Sequence, residues 1–311
     1  MNRRNVAYIA HNNPRRFYPR VDDKLITKRL AHAGGIAVPT LLGVVKFTGQ
    51  IRELPAFLAL HEQFVIKPSK GSGGKGILVI VGREGEHFVK SSGKIITFIE
   101  ISRHINNILS GLFSLGGRTD VAMIESMVKF AEVFENFSYE GVPDIRVIVY
   151  RGYPVMAMTR LSTHASDGKA NLHQGAIGVG LDLGTGHALR AVQNGQLVEY
   201  HPDTGALLRD IKVPHWEQVL QLAASCYVVT ELGYLGADIV IDKDRGPLIL
   251  ELNARPGLAI QVANGAGLRP RIEQVDRFIH GLRQPLSAKE RAAWSMQTLG
   301  AAQSFNGIES A

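Results

Sequence analysis

The sequence predicts an α+β fold built as two lobes, and three observations carry that reading. Two apolar strand-like runs, 237–242 and 248–253, are separated by the turn-forming Lys243-Asp244-Arg245-Gly246 and read as an antiparallel hairpin. A glycine-rich loop, Gly71-Ser72-Gly73-Gly74-Lys75-Gly76, is entered from the strand-like Phe64-Val65-Ile66-Lys67 and left through Ile77-Leu78-Val79-Ile80-Val81, a second strand. Amphipathic helical patterns at 102–115 and 216–232 interrupt these strand runs. With 311 residues, 45% of them hydrophobic and 20% charged, the chain can build one multi-lobed domain or two closely packed ones.

Residues 1–20 are rich in turn formers and lack a helical period, so an irregular arm is expected there. Asp22 or Asp23 caps a helix through about residue 33, with Leu25, Ile26 and Leu30 on one face and Gly34-Gly35 at its end. Strands follow at 41–45, 64–67, 77–81 and 121–125, with a short helix at 54–61 and the longer one at 102–115 stopped by Gly116-Gly117. Residues 143–159 read as a strand pair around Arg151-Gly152, and 165–180 as a polar, glycine-rich functional loop. A helix at 271–282 follows the hairpin; beyond Pro285 come one more helix and a mobile small-residue tail, 301–311. The expected division is an arm (1–20), a first lobe with the lysines and glycine flap (21–125), a second lobe with the metal site (126–285), and a C-terminal helix and tail (286–311).

Composition narrows the function classes. The single cysteine, Cys226, excludes an intramolecular disulfide and a thiolate zinc site and fits a reducing compartment. No run approaches the roughly 20 apolar residues that span a bilayer, and the first residues lack the pattern of a signal peptide, so a cytoplasmic protein is expected. The net charge of +7 is dispersed, without the aromatic-interleaved basic stretches of a base-stacking platform. That balance suits a protein holding anionic nucleotides, and no nucleic-acid partner is expected.

The chemistry concentrates in two places. Glu251 and Asn253, two apart on an apolar strand, present oxygens on one face to a hard cation. A bare carboxylate among Leu248, Ile249, Leu250 and Leu252 is costly unless paired or on a metal, the alternative being an edge strand with a solvated face. With a four-residue loop, Asp242 pairs with Pro247, Val240 with Ile249, and Asp238 falls opposite Glu251. The glycine loop contains a formal G-x-G-x-x-G, but a dinucleotide fingerprint or P-loop opens into a helix, and no Gly-Lys-Ser/Thr is present. A strand–flap–strand can fold over a triphosphate and donate backbone N–H groups, the alternative being a plain hairpin turn. Lys67, inside an apolar strand, requires an anionic partner such as a phosphate. Lys24, taken alone, reads as a solvated helix lysine.

In this order, the segments resemble the ATP-grasp superfamily, and more closely the RimK-type ribosomal-protein glutamate ligases and alpha-L-glutamate ligase-like proteins, over residues 21–283. The resemblance implies an ATP-grasp fold, two α+β lobes gripping ATP, with the usual N-terminal α/β domain reduced to a short arm. It places Lys24 and Lys67 at the ATP lysines, Gly71, Ser72, Gly73, Gly74 and Gly76 at the phosphate flap, and Glu125, Met127 and Val128 at the adenine hinge. Asp144-Ile145-Arg146, Arg160 and Asn171-Leu172-His173-Gln174-Gly175 correspond to segments lining the phosphate and substrate side, with Asn171, Gln174 and Gly175 on the substrate. Asp238, Glu251 and Asn253 take the positions of the magnesium ligands.

The implied reaction is an ATP-dependent carboxylate–amine ligation through an acylphosphate, with ATP and two Mg2+ ions, Mn2+ substituting, as cofactors. Arg146, Arg160 or Arg255 would stabilise the transferring phosphoryl, and His173 would position or deprotonate the amine. The substrates expected are small-molecule or peptide carboxylates and amines. Because the usual N-terminal domain helps bind substrates, a partner protein, a second subunit of a homo-oligomer or the arm at 12–20 is left to complete the site. The competing readings are an ATP-grasp kinase of a small hydroxyl compound and a non-catalytic nucleotide-binding protein.

Overall fold

A computed structural model describes residues 4–71, 73–139 and 141–300. The chain divides into two compact units: one comprises Met1–Asp22, Ile26–Val38 and Lys129–Ala311, the other Asp23–Leu25 and Pro39–Val128. The first-lobe boundary expected at residue 21 is therefore displaced. Only Asp23–Leu25 joins the smaller unit before Pro39, because Lys24 N–H and Leu25 N–H bond to Ser69 (2.9 and 3.1 Å), while Ile26–Val38 joins the larger one.

The smaller unit is a six-stranded antiparallel sheet of β1 (Leu41–Val45), β2 (Phe64–Pro68), β3 (Leu78–Glu84), β4 (His87–Lys90), β5 (Ile95–Ile96) and β6 (Ala122–Glu125), in the order β1-β6-β2-β3-β4-β5. Its helix Phe98–Leu109 starts earlier than the hydrophobic period alone indicates. Thr97 and Glu100 form a reciprocal capping box, Thr97 N–H donating to the Glu100 carboxylate at 2.9 Å. Ile101, Ile105 and Ile108 then fall on one face and are fully buried with Phe64, Ile66, Ile80 and Ile124. The helix also ends sooner, since Gly111 at φ +85° turns the chain where any Cβ would lie 2.4 Å from the Arg118 carbonyl.

The larger unit holds a seven-stranded antiparallel sheet: β7 (Asp144–Tyr150), β8 (Tyr153–Leu161), β9 (Ile177–Leu181), β10 (Ala188–Gln193), β11 (Gln196–Val198), β12 (Tyr234–Asp242) and β13 (Gly246–Asn253), ordered β11-β10-β9-β8-β7-β12-β13. β12 lies between β7 and β13, and all nine of its residues are buried. The helix Trp216–Thr230 packs Val219, Leu220, Ala223 and Cys226 into this core. The segment at 165–180 is less loop than expected. It closes with two short 3-10 turns, His164–Ser166 and Leu172–Gln174, and Ile177 already begins the buried β9.

The arm at 1–20 is not irregular from Arg4 onward. It forms a π-helical segment Arg4–Ala10, a 3-10 turn Arg15–Phe17 and a short α-helix Pro19–Asp22, with Ile9 and Val21 in the core of the larger unit. Asn13 and Pro14, which read as turn formers, sit between these helical pieces, whereas Asn5 lies within the first of them and Pro19 opens the last. The C-terminal helix falls at Ala288–Leu299, capped by Ser287 and Glu290; the tail at 301–311 lies outside the described residues.

Candidate functional site

The hairpin β12–β13 reaches the expected carboxylate pairing by a different count. Its loop has one residue fewer than expected, so Asp242 pairs with Gly246, Ile241 with Pro247 and Ile239 with Ile249; a bulge at Leu250 then restores Asp238 opposite Glu251 and Gly236 opposite Asn253. The neighbouring strands extend the same face. Asp238 stands opposite Arg146 of β7, and Asp144 of β7 stands opposite Arg160 of β8. Residues two apart share a face, so Arg160, Asp144, Arg146, Asp238, Glu251 and Asn253 form one polar strip across four adjacent strands.

Within the strip the charges interlock. Arg146 grips Asp238 with two hydrogen bonds, Nε to Oδ1 at 2.7 Å and Nη2 to Oδ2 at 2.6 Å. Arg160 bonds Asp144 through Nε (2.6 Å) and Nη2, and the same Nη2 reaches Asp238 Oδ2 at 2.9 Å. Asp144 and Asp238 are buried, with Asp238 only 2% exposed. Burial acts against both ionised carboxyls. At Asp238 the two guanidiniums outweigh it and hold the carboxyl below the usual carboxylate range, whereas at Asp144 burial prevails over Arg160 and the nearby Asp238 adds to the upward shift. Burial opposes the charge of Arg160 as well, but the two carboxylates raise its pKa. Paired this way, two ions of each sign occupy an interior where a single charge would be prohibitive.

The donor set suits a hard cation, with one restriction. Asp238 Oδ2 already accepts from Arg146, Arg160 and, at 3.3 Å, Asn253 Nδ2, so its remaining acceptor capacity lies on Oδ1. Asn253, with its Nδ2 turned toward Asp238, directs its amide oxygen the other way. The half-buried Glu251 supplies a second carboxylate. Among the described residues, no three His, Cys, Asp or Glu side chains converge as a metal-holding group. The three expected ligands therefore comprise two carboxylates and an amide, an all-oxygen set that magnesium accepts when water and phosphate complete its shell.

In the smaller unit, Lys67 has the anionic partner its burial demands, and that partner is Glu125. The pair sits at 2.7 Å with side chains 7% and 3% exposed. Lys67 is opposite Met123 in the β2–β6 ladder, which makes Glu125 its diagonal neighbour on the same face. Glu125, expected at an adenine hinge, is thus engaged by the lysine; Met127 and Val128 follow β6 as half-buried chain without regular structure.

Ser72 lies outside the described residues, and the rest of the flap is pinned at both ends. Lys24 Nζ donates to the Gly71 carbonyl at 2.6 Å, and His104 Nε2 bonds the Gly76 carbonyl at 2.9 Å. Lys24 is therefore no plain solvated lysine. Gly73, Gly74 and Gly76 all have positive φ, and a Cβ on Gly76 would lie 2.5 Å from the Phe113 ring. Asp120, passed over in the sequence, anchors the approach to the flap by accepting Lys70 N–H (2.9 Å), Val121 N–H (2.8 Å) and the Ser114 hydroxyl.

Other expected site residues lie apart from the strip's ion network. Arg255 is 57% exposed, 3.9 Å from Asp22 and over the Tyr18 ring. His173 is exposed at the rim of a cavity of about 370 Å³ lined also by Leu172, Val192, Asn194, Ala259 and Val262. Asn171 caps the turn Leu172–Gln174 by accepting His173 N–H at 3.0 Å, and Gln174 is exposed. The Gly175 carbonyl accepts Thr163 Oγ1 (3.0 Å) and Gln193 Nε2 (2.8 Å). Asp144, quoted within the D-I-R segment but not assigned a role, is the residue that completes the ion network; its signal was its place two residues before Arg146.

A family model described as sugar-transfer associated ATP-grasp matches residues 3–277. No curated protein matches the sequence. Among solved structures, the D-cycloserine synthetase DcsG is 16% identical over 85% of this chain and 73% of its own, with a TM-score of 0.48. The D-alanyl-alanine synthetase A of Vibrio cholerae O1 biovar eltor is 12% identical over 90% and 65% at 0.48, and the ATP-grasp ligase PsnB, complexed with a minimal precursor, is 14% identical over 86% and 63% at 0.46. The chain thus spans less than two thirds of the PsnB and D-alanyl-alanine synthetase A chains.

Proposed function

This chain belongs to the sugar-transfer associated ATP-grasp family, and we propose that it is an ATP-dependent ligase that activates a carboxylate as an acylphosphate and transfers the acyl group to an amine or similar nucleophile. The observation that carries this reading is the strip in which Asp238, Glu251 and Asn253 lie beside two arginines fixed by bidentate bonds. In the reaction, a carboxylate oxygen attacks the γ-phosphorus, ADP leaves, the nucleophile attacks the acyl carbon, and phosphate departs as the amine loses a proton.

Asp238 Oδ1, Glu251 and the Asn253 amide oxygen would hold Mg2+, which supplies charge neutralisation at the phosphates. Arg146 and Arg160 keep N–H groups beyond those bonded to aspartate, and these donors would face the transferring phosphoryl in a preorganised orientation. Lys67, fixed by Glu125, and Lys24, at the flap, take the nucleotide phosphates, while the flap's backbone N–H groups follow them. Glu125, Met127 and Val128 take the adenine side. Arg255 and His173 are assigned to the substrates, with Asn171, Gln174 and Gly175 shaping the segment that presents His173.

The family's association with sugar transfer supports a substrate carried on a carbohydrate, ahead of a ribosomal-protein type acceptor. The compartment we assign is the cytoplasm, where ATP is supplied; among the described residues no helix is long and apolar enough to cross a membrane. The test is release of ADP and phosphate with candidate acids and amines, joined to mass spectrometry of products formed in cell extract. Glu251→Ala is expected to abolish release. An unchanged rate would refute the metal site, and a stable phosphorylated hydroxyl compound without amide formation would identify a kinase instead.

A further inference from the structure

The open end of the β12–β13 hairpin, where the two strands part, is closed by a residue from the distant N-terminal segment. Past the last pair, Gly236 opposite Asn253, the ladder stops. Asn13 occupies the gap: its Nδ2 donates to the Tyr234 carbonyl (2.6 Å) and to the Ala254 carbonyl (3.0 Å), and its Oδ1 accepts Tyr234 N–H (2.9 Å). The carboxamide thus acts as a detached peptide group, supplying the missing rung from the side. At 1% exposure it is among the most buried polar residues of the chain.

Neighbouring contacts reinforce the same place. The Asn12 carbonyl accepts Gly233 N–H at 2.9 Å, and Arg4 Nη1 donates to the Pro256 carbonyl at 3.0 Å. The N-terminal segment therefore grips Gly233, Tyr234, Ala254 and Pro256, residues at or just beyond the adjoining ends of the two strands that bear Asp238, Glu251 and Asn253.

We infer that Asn13 is a positioning residue for the proposed metal site: it sets the exit of β13 and through it the placement of Asn253, one residue from the carbonyl it holds. This rests on the ligase reading for its functional consequence, though the geometry is independent of it. The chemistry required is specific to asparagine. Aspartate would set an acceptor against two carbonyls, leucine would strand three buried backbone groups, and glutamine is one methylene too long for the gap.

The test compares Asn13→Asp, Asn13→Ser and the control Asn12→Ala in the full chain. Asn12→Ala alters the same segment yet keeps the backbone bond to Gly233. Hydrogen exchange is followed at 249–257, with 216–230 as internal reference. Exchange faster by about tenfold at 249–257 alone in either Asn13 variant, and not in Asn12→Ala, supports the inference.

The second readout is the Mg2+ concentration that half-saturates ATP binding by calorimetry. It is expected to rise about tenfold in the Asn13 variants, the size of effect seen when groups supporting metal ligands are removed. Unchanged exchange at 249–257, loosening spread equally over 216–230, or a Mg2+ midpoint within about twofold of the parent overturns it. If the parent protein shows no Mg2+-dependent ATP binding, the ligase reading fails on its own account, and the exchange pattern alone decides the role of Asn13. Asn13→Ser, which keeps a hydroxyl donor, serves if Asn13→Asp does not fold.

Discussion

Replacing Arg160 with methionine removes the guanidinium shared by Asp144 and Asp238, and the cost can be worked out from who is left behind. Asp238 retains the bidentate grip of Arg146, but Asp144 loses both of its bonds from Arg160. Truncating one partner of a buried ion pair costs about 3–5 kcal/mol. A second route gives a similar figure. If the stranded carboxyl protonates instead, neutralising a group of ordinary pKa at pH 7 costs about 4 kcal/mol, at about 1.36 kcal/mol per unit.

The two estimates separate on acidification. The stranded Asp144 has a folded pKa above its unfolded value, so its folded form binds the proton more readily and stability is lost as pH rises through the folded pKa. In the parent protein the shift at Asp144 is already upward, from burial, while that at Asp238 is downward and contributes stability lost as pH falls. Measuring both proteins at each pH subtracts these baselines. By the same rule the protonation cost falls to about 1.5 kcal/mol at pH 5, and because the parent Asp144 already lies above the usual carboxylate range, the penalty between the two proteins is smaller than this cost at each pH. Urea unfolding at pH 7 and pH 5 reads the difference as a shift in midpoint. Adding Asp144→Asn should return about 2 kcal/mol at pH 7 through the coupling of the two sites. A loss that is equal at both pH values, or a double variant no better than the single one, would refute the claim that the pair is a mutually dependent buried network.

Further expectations concern the flap and its supports. Gly76→Ala should destabilise more than Gly73→Ala in thermal melts: both have positive φ, costing about 1–2 kcal/mol, but only the Gly76 Cβ would meet Phe113, at 2.5 Å, whereas that of Gly73 meets open space. Burial, aided by Lys90 and opposed by the bond to Gly76, holds the His104 imidazole below its ordinary value. Its contribution to stability is therefore present above the unfolded pKa and lost as pH falls through the folded one; His104→Asn should flatten the acid-side slope of stability between about pH 7 and pH 5, and an unaltered slope would remove His104 from the account.

Much of the fold was legible because its strongest patterns are local. The helix Trp216–Thr230 and the acidic hairpin each carry their own period and their own stops. The hairpin also shows the limit. A four-residue loop places Asp238 opposite Glu251 only because the missing loop residue reappears as a bulge at Leu250, and no composition signal marks that exchange. Lys67 announced a need for an anion, but choosing Glu125 requires knowing that β6 runs beside β2, although the 53 residues 69–121 separate the two strands in sequence.

The arginine network was visible as separate motifs. Its convergence depends on β7 lying between β8 and β12, an adjacency of strands far apart in the chain. The N-terminal segment was misread for the opposite reason: its helical pieces are too short for a period to emerge, and Asn13 bonds to distant backbone in place of its own turn.

The bulge at Leu250 puts the two halves of the acidic hairpin out of phase by one residue. The half near the turn keeps one count and the half bearing Asp238 and Glu251 keeps the next, so the turn does not dictate where the carboxylates meet. That placement is governed from the other end, by β7 and by the N-terminal segment. A lineage could therefore lengthen or shorten the turn at Lys243–Arg245 while the carboxylates stay in register, giving up only the turn's own bonds to Lys129, Glu132 and Val38.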